Sequence, residues 1–518
     1  MSGPLPAPTI LCALLLALAG EAHAVRLKVC AFSFNSPDEV QVFSSHLPDE
    51  DFVDLSPHLP LPAGVASGGG GASWLSSLCR SDLQCDVVVY AAEFGGRFFG
   101  TYGMSVGLQE MEEASCQTRC RGLFHDAREV FLLACNTLAT KDEDRRSPEE
   151  YLQVLLDHGF DHASAERVVA LRYGPLGPSF REAVRRIFMG VPRIYGFSSV
   201  APAGEPSATL LEKYFRSKGD YRRYLDQAGW DARPNRELLA AFRGTGLVQA
   251  QGLSASEPAA ADRTDVCNLY DESQSVAQRL RIIQRLLDRS DFLAFLPIIQ
   301  VFVARHPAQQ LKGEEGLLFA EIQKRDAARD QVLRLVHELN VSALKMELAH
   351  LALNLEWMKR EEFRSLAVAG AKQLLGQPLT SEVVDIMCEI SKHEPIGDAF
   401  QSGDLPGPLF EQAEGIRLVD CLSPVDRRVG ARLADGLDSA DPSTRLWAGY
   451  ALSHRLPLED GILLRLGGHL TDPSPDLRER LHWIFLAQGP LSAEVRRAVE
   501  ASDARLGEEL RVREPGRR

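Results

Sequence analysis

The chain lacks an excess of positive charge. Its 518 residues carry 57 Lys and Arg against 71 Asp and Glu, a net charge of −14. A nucleic-acid binder needs a basic face, so that class is excluded. Beyond the first two dozen residues no long apolar run exists. The best candidate, 292–304, is interrupted by Pro297 and Gln300, and no transmembrane span is expected. The glycine run Gly68 to Gly71 is not followed by the Lys-Ser/Thr pair of a phosphate-binding loop and reads as a flexible connection. Cys116, Cys120 and His125 have metal-like spacing but no fourth ligand in sequence reach. No metal or cofactor is therefore expected.

What is present begins with a targeting signal. Residues 9–20 form an apolar core of signal-peptide length, and Ala22-His23-Ala24 has the form of a cleavage site, although no Lys or Arg precedes the core. Residues 1–24 are expected to be removed on export. Arg is commoner than Lys, as in GC-rich bacterial genomes, which gives a periplasmic or secreted bacterial protein. Nine cysteines follow residue 24, so at least one thiol stays unpaired. Cys116 with Cys120 and Cys79 with Cys85 are close enough for small-loop disulfides; buried free thiols are the alternative.

At this length more than one domain is expected. From 25 to 239 strand-like and helix-like segments alternate. Strands read at 25–34, 51–55, 86–92, 129–135 and 192–197, and helices at 148–158, 163–172 and 207–227. Ser36-Pro37-Asp38-Glu39 starts a further helix, with Ser as cap, Pro in first position and acids in the first turn. This pattern predicts a mainly parallel sheet with helices on both faces. The small, weakly patterned residues of 240–265 read as a linker. From 266 to 510 only amphipathic helices are found, and 511–518 reads as a charged, disordered tail.

The strand at 129–135 ends in Cys135 and is followed at once by Asn136 and Thr137. Ligand chemistry in open α/β sheets collects at such strand tips. The string Ala134-Cys135-Asn136-Thr137 resembles the nucleophile motif of the caspase-like CHAT family of cysteine peptidases. That resemblance implies a three-layer α/β fold with Cys135 as nucleophile and a His-Gly at the end of a neighbouring strand. Here the strand at 86–92 ends instead in Glu93-Phe94-Gly95-Gly96. A carboxylate at Glu93 opposes a thiolate at Cys135 by like-charge repulsion. His125 lies too far along its own strand to serve as base, and His46, His58 and His158 are weak substitutes. Gly95, Gly96, Arg97 and Phe98 beside Glu93, with Asn136 and Thr137 beside the thiol, are the candidate binding residues. Phe98 and its neighbour Phe99 either line a pocket or anchor the loop on the core.

In the C-terminal part a helix-start signal recurs at Ser423-Pro424, Asp441-Pro442 and Ser474-Pro475, and Arg445 and Arg478 follow the last two. This resembles HEAT-type helical repeats, which implies an α-solenoid, a stack of helix pairs with an extended binding surface. Two functions follow from the two resemblances. In one, a degenerate caspase-like domain is joined to a platform that binds protein or peptide partners. In the other, the chain is an active cysteine endopeptidase or amidase with Cys135 as nucleophile and a non-standard general base.

Overall fold

The computed structural model describes residues 27–47, 52–56, 75, 78, 79, 83–99, 105–141, 147–157, 162–339, 342–374, 379, 384, 387, 388, 390, 391, 394, 396–399, 405–422 and 429–513. The leader 1–24, the glycine run at 68–71, His58, His158 and the Ser423-Pro424 start lie outside these residues. The chain divides into two compact units, Met1–Arg145 with Pro178–Glu272, and Arg146–Gly177 with Ser273–Arg518.

The first unit is built on strands β1 (Val29–Ser33), β2 (Phe52–Asp54), β3 (Val87–Ala91), β4 (Glu93–Phe94), β5 (Arg97–Phe99), β6 (Ser105–Gly107), β7 (Glu129–Leu133), β8 (Arg193–Phe197) and β9 (Leu247–Ala250). Six form one sheet in the order β2-β1-β3-β7-β8-β9, parallel except for β9 at the edge. The central strands are Val-rich and buried on both faces, the pattern of a parallel sheet covered by helices. Their period of two divides the side chains. Val88, Tyr90, Val130 and Leu132 enter one core, and Val87, Val89, Phe131 and Leu133 the other. Each such side chain contributes about 1.5–3 kcal/mol on full burial.

Four expectations are corrected here. The 240–265 segment is no linker: β9 pairs with β8, and a helix begins at Ala259 and runs to Tyr270. A half-buried edge strand carries no long apolar run, so its sequence looks like a loop. The helix at 207–227 is two helices, Glu205–Lys218 and Tyr221–Ala228, because Gly219 at φ 67° turns the chain and Asp220 caps the restart. Helices Pro148–Asp157 and His162–Tyr173 pack together and belong to the second unit, where the latter meets Ser342–Asn354. The expected disordered tail starts too early, since helix Ala504–Arg513 runs into it.

The close cysteine neighbours are not partners either. Disulfides join Cys30 to Cys85, Cys79 to Cys120, Cys116 to Cys267 and Cys388 to Cys421. The Cys116–Cys267 bond, across 151 residues, ties helix Ala259–Tyr270 to its unit. Arg263 adds to that tie, donating to the carbonyls of Arg186 and Ser115. Among the described residues Cys135 is the free thiol.

The second unit is helical, with no strand among its described residues. In its C-terminal part helix Ala413–Leu422 packs on Pro442–Ser453, which packs on Pro475–Ala487. In a parallel row Gly430–Asp435 packs on Asp460–Gly468, which packs on Ala493–Ser502. The start signals act as caps: Asp441 accepts from the amides of Ser443 and Thr444, and Ser474 from that of Leu477. The arginines that follow reach back to equivalent carbonyls. Arg445 donates to Ser439 and Ala440, and Arg478 to Asp472 and Pro473. Arg445 also pairs with Asp472 of the next start signal, at 2.9 Å. Among the described residues no helix is long and apolar enough to cross a membrane.

Candidate functional site

Three adjacent parallel strands, β1, β3 and β7, end together. Ala91 of β3 is in register with Leu133 of β7, so Glu93 and Cys135 each stand two residues beyond a paired position. The Phe34 amide donates to the Ala91 carbonyl at 3.0 Å and carries β1 alongside β3 to the same edge. Asn35 follows, and its amide donates to Glu93 Oε1 at 3.0 Å. The strand tips thus deliver Asn35, Glu93 and Cys135 in that order.

The turn after Cys135 is held from below. Asn136 has φ 59°, a left-handed conformation that Asn tolerates better than most residues. Its backbone amide donates to the Ser199 carbonyl and that of Leu138 to the Phe197 carbonyl, both at 2.9 Å. The buried Thr137 hydroxyl sits between strands. It accepts from the Phe197 amide at 3.1 Å and lies within donating distance of the carbonyls of Leu132 and Ala134. Gly196 makes room for it: a Cβ there would stand 2.5 Å from Thr137 Oγ1. Asn136 and Thr137 are both buried and clip the β7 tip to β8.

The thiol is half-buried. Its sulfur accepts one hydrogen bond, from the Ala201 amide at 3.3 Å. Burial pushes its pKa up; the Ala201 amide opposes this, and the Glu93 charge adds to the rise. The expected repulsion from Glu93 is therefore present, but desolvation is the larger cause. Among the described residues no imidazole is bonded to the sulfur. His46 pairs with Glu212 at 2.7 Å and stacks on Phe215. His125 lies 3.0 Å from Arg263 Nη2, and burial followed by that charge lowers its pKa to about 4.

The segment after Glu93 is a small antiparallel sheet, β4-β5-β6, rather than an open loop. Gly95 and Gly96 make the turn between β4 and β5, with Gly96 at φ 87°. Phe94 and Phe98 are fully buried against each other and the core, so Phe98 anchors the hairpin. Phe99 is half-buried, and Arg97 is exposed between them.

One group at this edge is not legible in the sequence. Glu39, in the first turn of helix Pro37–Ser45, is 1% exposed. Its Oε1 accepts from the Gly204 amide at 2.8 Å, while Oε2 finds no partner of hydrogen-bond geometry among the described residues, although the Ser207 hydroxyl stands close enough to favour the carboxylate. Burial, the dominant cause, raises its pKa to about 7. An acid in a first turn reads as a solvated complement to the helix dipole. Its burial depends on Gly204, which is 165 residues away. The single loop 198–204 supplies the Ala201 amide to the thiol and the Gly204 amide to Glu39. Among the described residues no cluster of His, Cys, Asp and Glu is arranged to hold a metal.

No protein-family model, curated protein or solved structure matches this chain at a significant level.

Proposed function

We propose that this is an exported protein in which a caspase-like domain with a degenerate thiol site is joined to a helical-repeat platform that binds protein or peptide partners. The observation that carries the degenerate site is the bonding of Cys135. A thiol becomes a nucleophile when a base or positive charge favours its thiolate. Here the half-buried sulfur has one backbone amide as donor, packs on a buried apolar core and feels the charge of Glu93. Each element other than the amide works against the thiolate. Four disulfides support the export assignment, since such bonds persist in oxidising compartments. The two rows of stacked helices with repeated caps support the platform.

Restoring the base tests this. Glu93→His should speed alkylation of Cys135 at neutral pH by about tenfold or more, because it replaces a repelling charge with a group able to take the proton. Glu93→Gln should give a smaller gain by removing the charge alone. No change in either variant would contradict the role given to Glu93.

The second function, an active peptidase, has one observation in its favour. Glu39 titrates near pH 7, where a general base operates best, and shares a loop with the thiol. It requires a peptidase activity that disappears in both Cys135→Ala and Glu39→Gln.

A further inference from the structure

The loop 198–204 is held less firmly than the elements it joins. Its start is fixed: the Ser198 amide and hydroxyl both donate to the Gly246 carbonyl, and the Ser199 carbonyl accepts from Asn136. Beyond Ser199 the loop's amides make two hydrogen bonds among the described residues. Ala201 donates to the sulfur of Cys135, and Gly204 donates to Glu39 Oε1. The first is weak, because a thiol sulfur is a poor acceptor. Pro202 has no amide to give. Ala201 is the one buried side chain of the segment. Opening the loop therefore uncovers little apolar surface, and Glu39 is its main polar anchor.

That anchor is sensitive to its own proton. Glu39 is 1% exposed, and among the described residues no cation pairs with it. Its helix, Pro37–Ser45, packs on β1, β3 and helix Glu205–Lys218. β1 and β3 bring no charged side chain. On helix Glu205–Lys218, Glu212 is engaged by His46 and Arg216, Lys218 by Glu237, and Glu205 and Lys213 are exposed. The loop, Ser-Ser-Val-Ala-Pro-Ala-Gly, has no titratable side chain. On the helix of Glu39 itself, Asp38 adds like charge. With the loop closed, burial keeps the carboxyl protonated up to about pH 7; in water it ionises near 4.5.

We propose that loop 198–204 is a proton-controlled latch over the thiol site: when Glu39 gives its proton to water the loop opens, the carboxylate is hydrated and Cys135 loses its cover. The proposal rests on the thiol site described above and names its regulation. The closed loop holds the Glu39 proton more tightly than the open one. Its advantage is complete below pH 4.5 and is lost as pH rises to about 7. The ratio of open to closed loop should rise on the order of a hundredfold from pH 5 to pH 8.

The test is hydrogen–deuterium exchange of the full chain from pH 5 to pH 8, read by mass spectrometry and corrected for the intrinsic pH dependence of amide exchange. Protection of segment 198–204 should fall on the order of a hundredfold over this range. It should be insensitive to low urea, because opening exposes little surface, whereas exchange in β7 should quicken with urea. In Glu39→Gln, which cannot ionise, loop protection should not vary with pH. Ser207→Ala removes a hydroxyl that favours the carboxylate, so the fall should extend to higher pH. This second variant serves if circular dichroism shows that Glu39→Gln does not fold. Loop protection that is flat in the parent, or that falls equally in Glu39→Gln, would overturn the latch. So would loop exchange with the urea dependence of β7, which would mean that Glu39 acts only through unfolding of the whole unit. The degenerate-site reading is judged apart from this, since Glu93→His is compared with the parent at one pH, where the state of the latch is common to both.

Discussion

The two edges of the sheet bury acids in opposite ways. At the N-terminal edge Glu129, the first residue of β7, has no exposed surface and four donors. Arg193 Nε stands at 2.8 Å and the hydroxyls of Tyr195, Tyr221 and Tyr224 at 2.7, 2.6 and 3.0 Å. Burial, reinforced by the Glu129 charge, holds these phenols above their ordinary pKa, so they remain donors. At the C-terminal edge Glu39 is held mainly by the Gly204 amide, Oε2 has no partner of good geometry among the described residues, and burial raises its pKa to about 7. The half-buried thiol reached by the same loop has one amide and a repelling carboxylate. Equal burial gives a locked network where donors are plentiful and groups that respond to pH where they are scarce. The first edge is a structural clamp. The second holds the candidate site.

The largest expected effect breaks the clamp. Glu129→Ala leaves the fully buried Arg193 without its carboxylate and should cost about 3–5 kcal/mol in urea denaturation. A cost under 1 kcal/mol would mean that the two edges do not differ as described.

The next effect sharpens the contrast through pH. Below pH 4.5 Glu39 is protonated whether the chain is folded or not. Between 4.5 and about 7 the unfolded chain loses this proton while the folded chain keeps it, so stability falls as pH rises through that window. The fall attributable to Glu39 is up to about 3 kcal/mol, and Glu39→Gln should remove it. Paired denaturation curves at pH 4.5 and pH 8 measure the difference. His125 acts in the opposite sense: its lowered pKa gives stability that is lost as pH falls from 6.5 through about 4.

A smaller effect concerns the clip between β7 and β8. Gly196→Ala drives a methyl into Thr137 Oγ1 and should cost about 1–3 kcal/mol by thermal unfolding. It should also alter the alkylation rate of Cys135, because the same turn sets the sulfur. The smallest effect lies in the second unit. Trp483→Ala should change stability by no more than about 0.5 kcal/mol in urea denaturation, because the ring is 48% exposed.

Much of the first unit is legible in the sequence where burial is complete. The apolar runs of β1, β3, β7 and β8 announce strands because both faces must be covered. Their common ending also brings Glu93 beside Cys135. β9 and the helix from Ala259 are not legible, since half-buried edge residues and an Ala-rich start resemble a connection. Disulfide partners are set by tertiary packing, so sequence proximity pairs Cys79 with Cys85 when its partner is Cys120. The Glu93 repulsion can be foreseen from charge alone. The larger desolvation of Cys135 cannot, because it depends on long-range packing, including the core beneath the sulfur and the Ala201 segment above it. Glu39 is invisible for the same reason. In the second unit the caps at Asp441 and Ser474 are read correctly from short-range chemistry.

The most direct measurement is the rate at which iodoacetamide alkylates Cys135 from pH 5 to pH 10. With eight cysteines in disulfides and Cys12 in the leader expected to be removed, Cys135 is the thiol that reports in the mature chain. If the site is degenerate, the rate at pH 7 is no faster than that of an ordinary cysteine, and its midpoint lies above the usual thiol range, near 8.5. Rapid alkylation at pH 6, together with a peptidase activity lost in Cys135→Ala, would show an activated thiolate and an enzyme in its place.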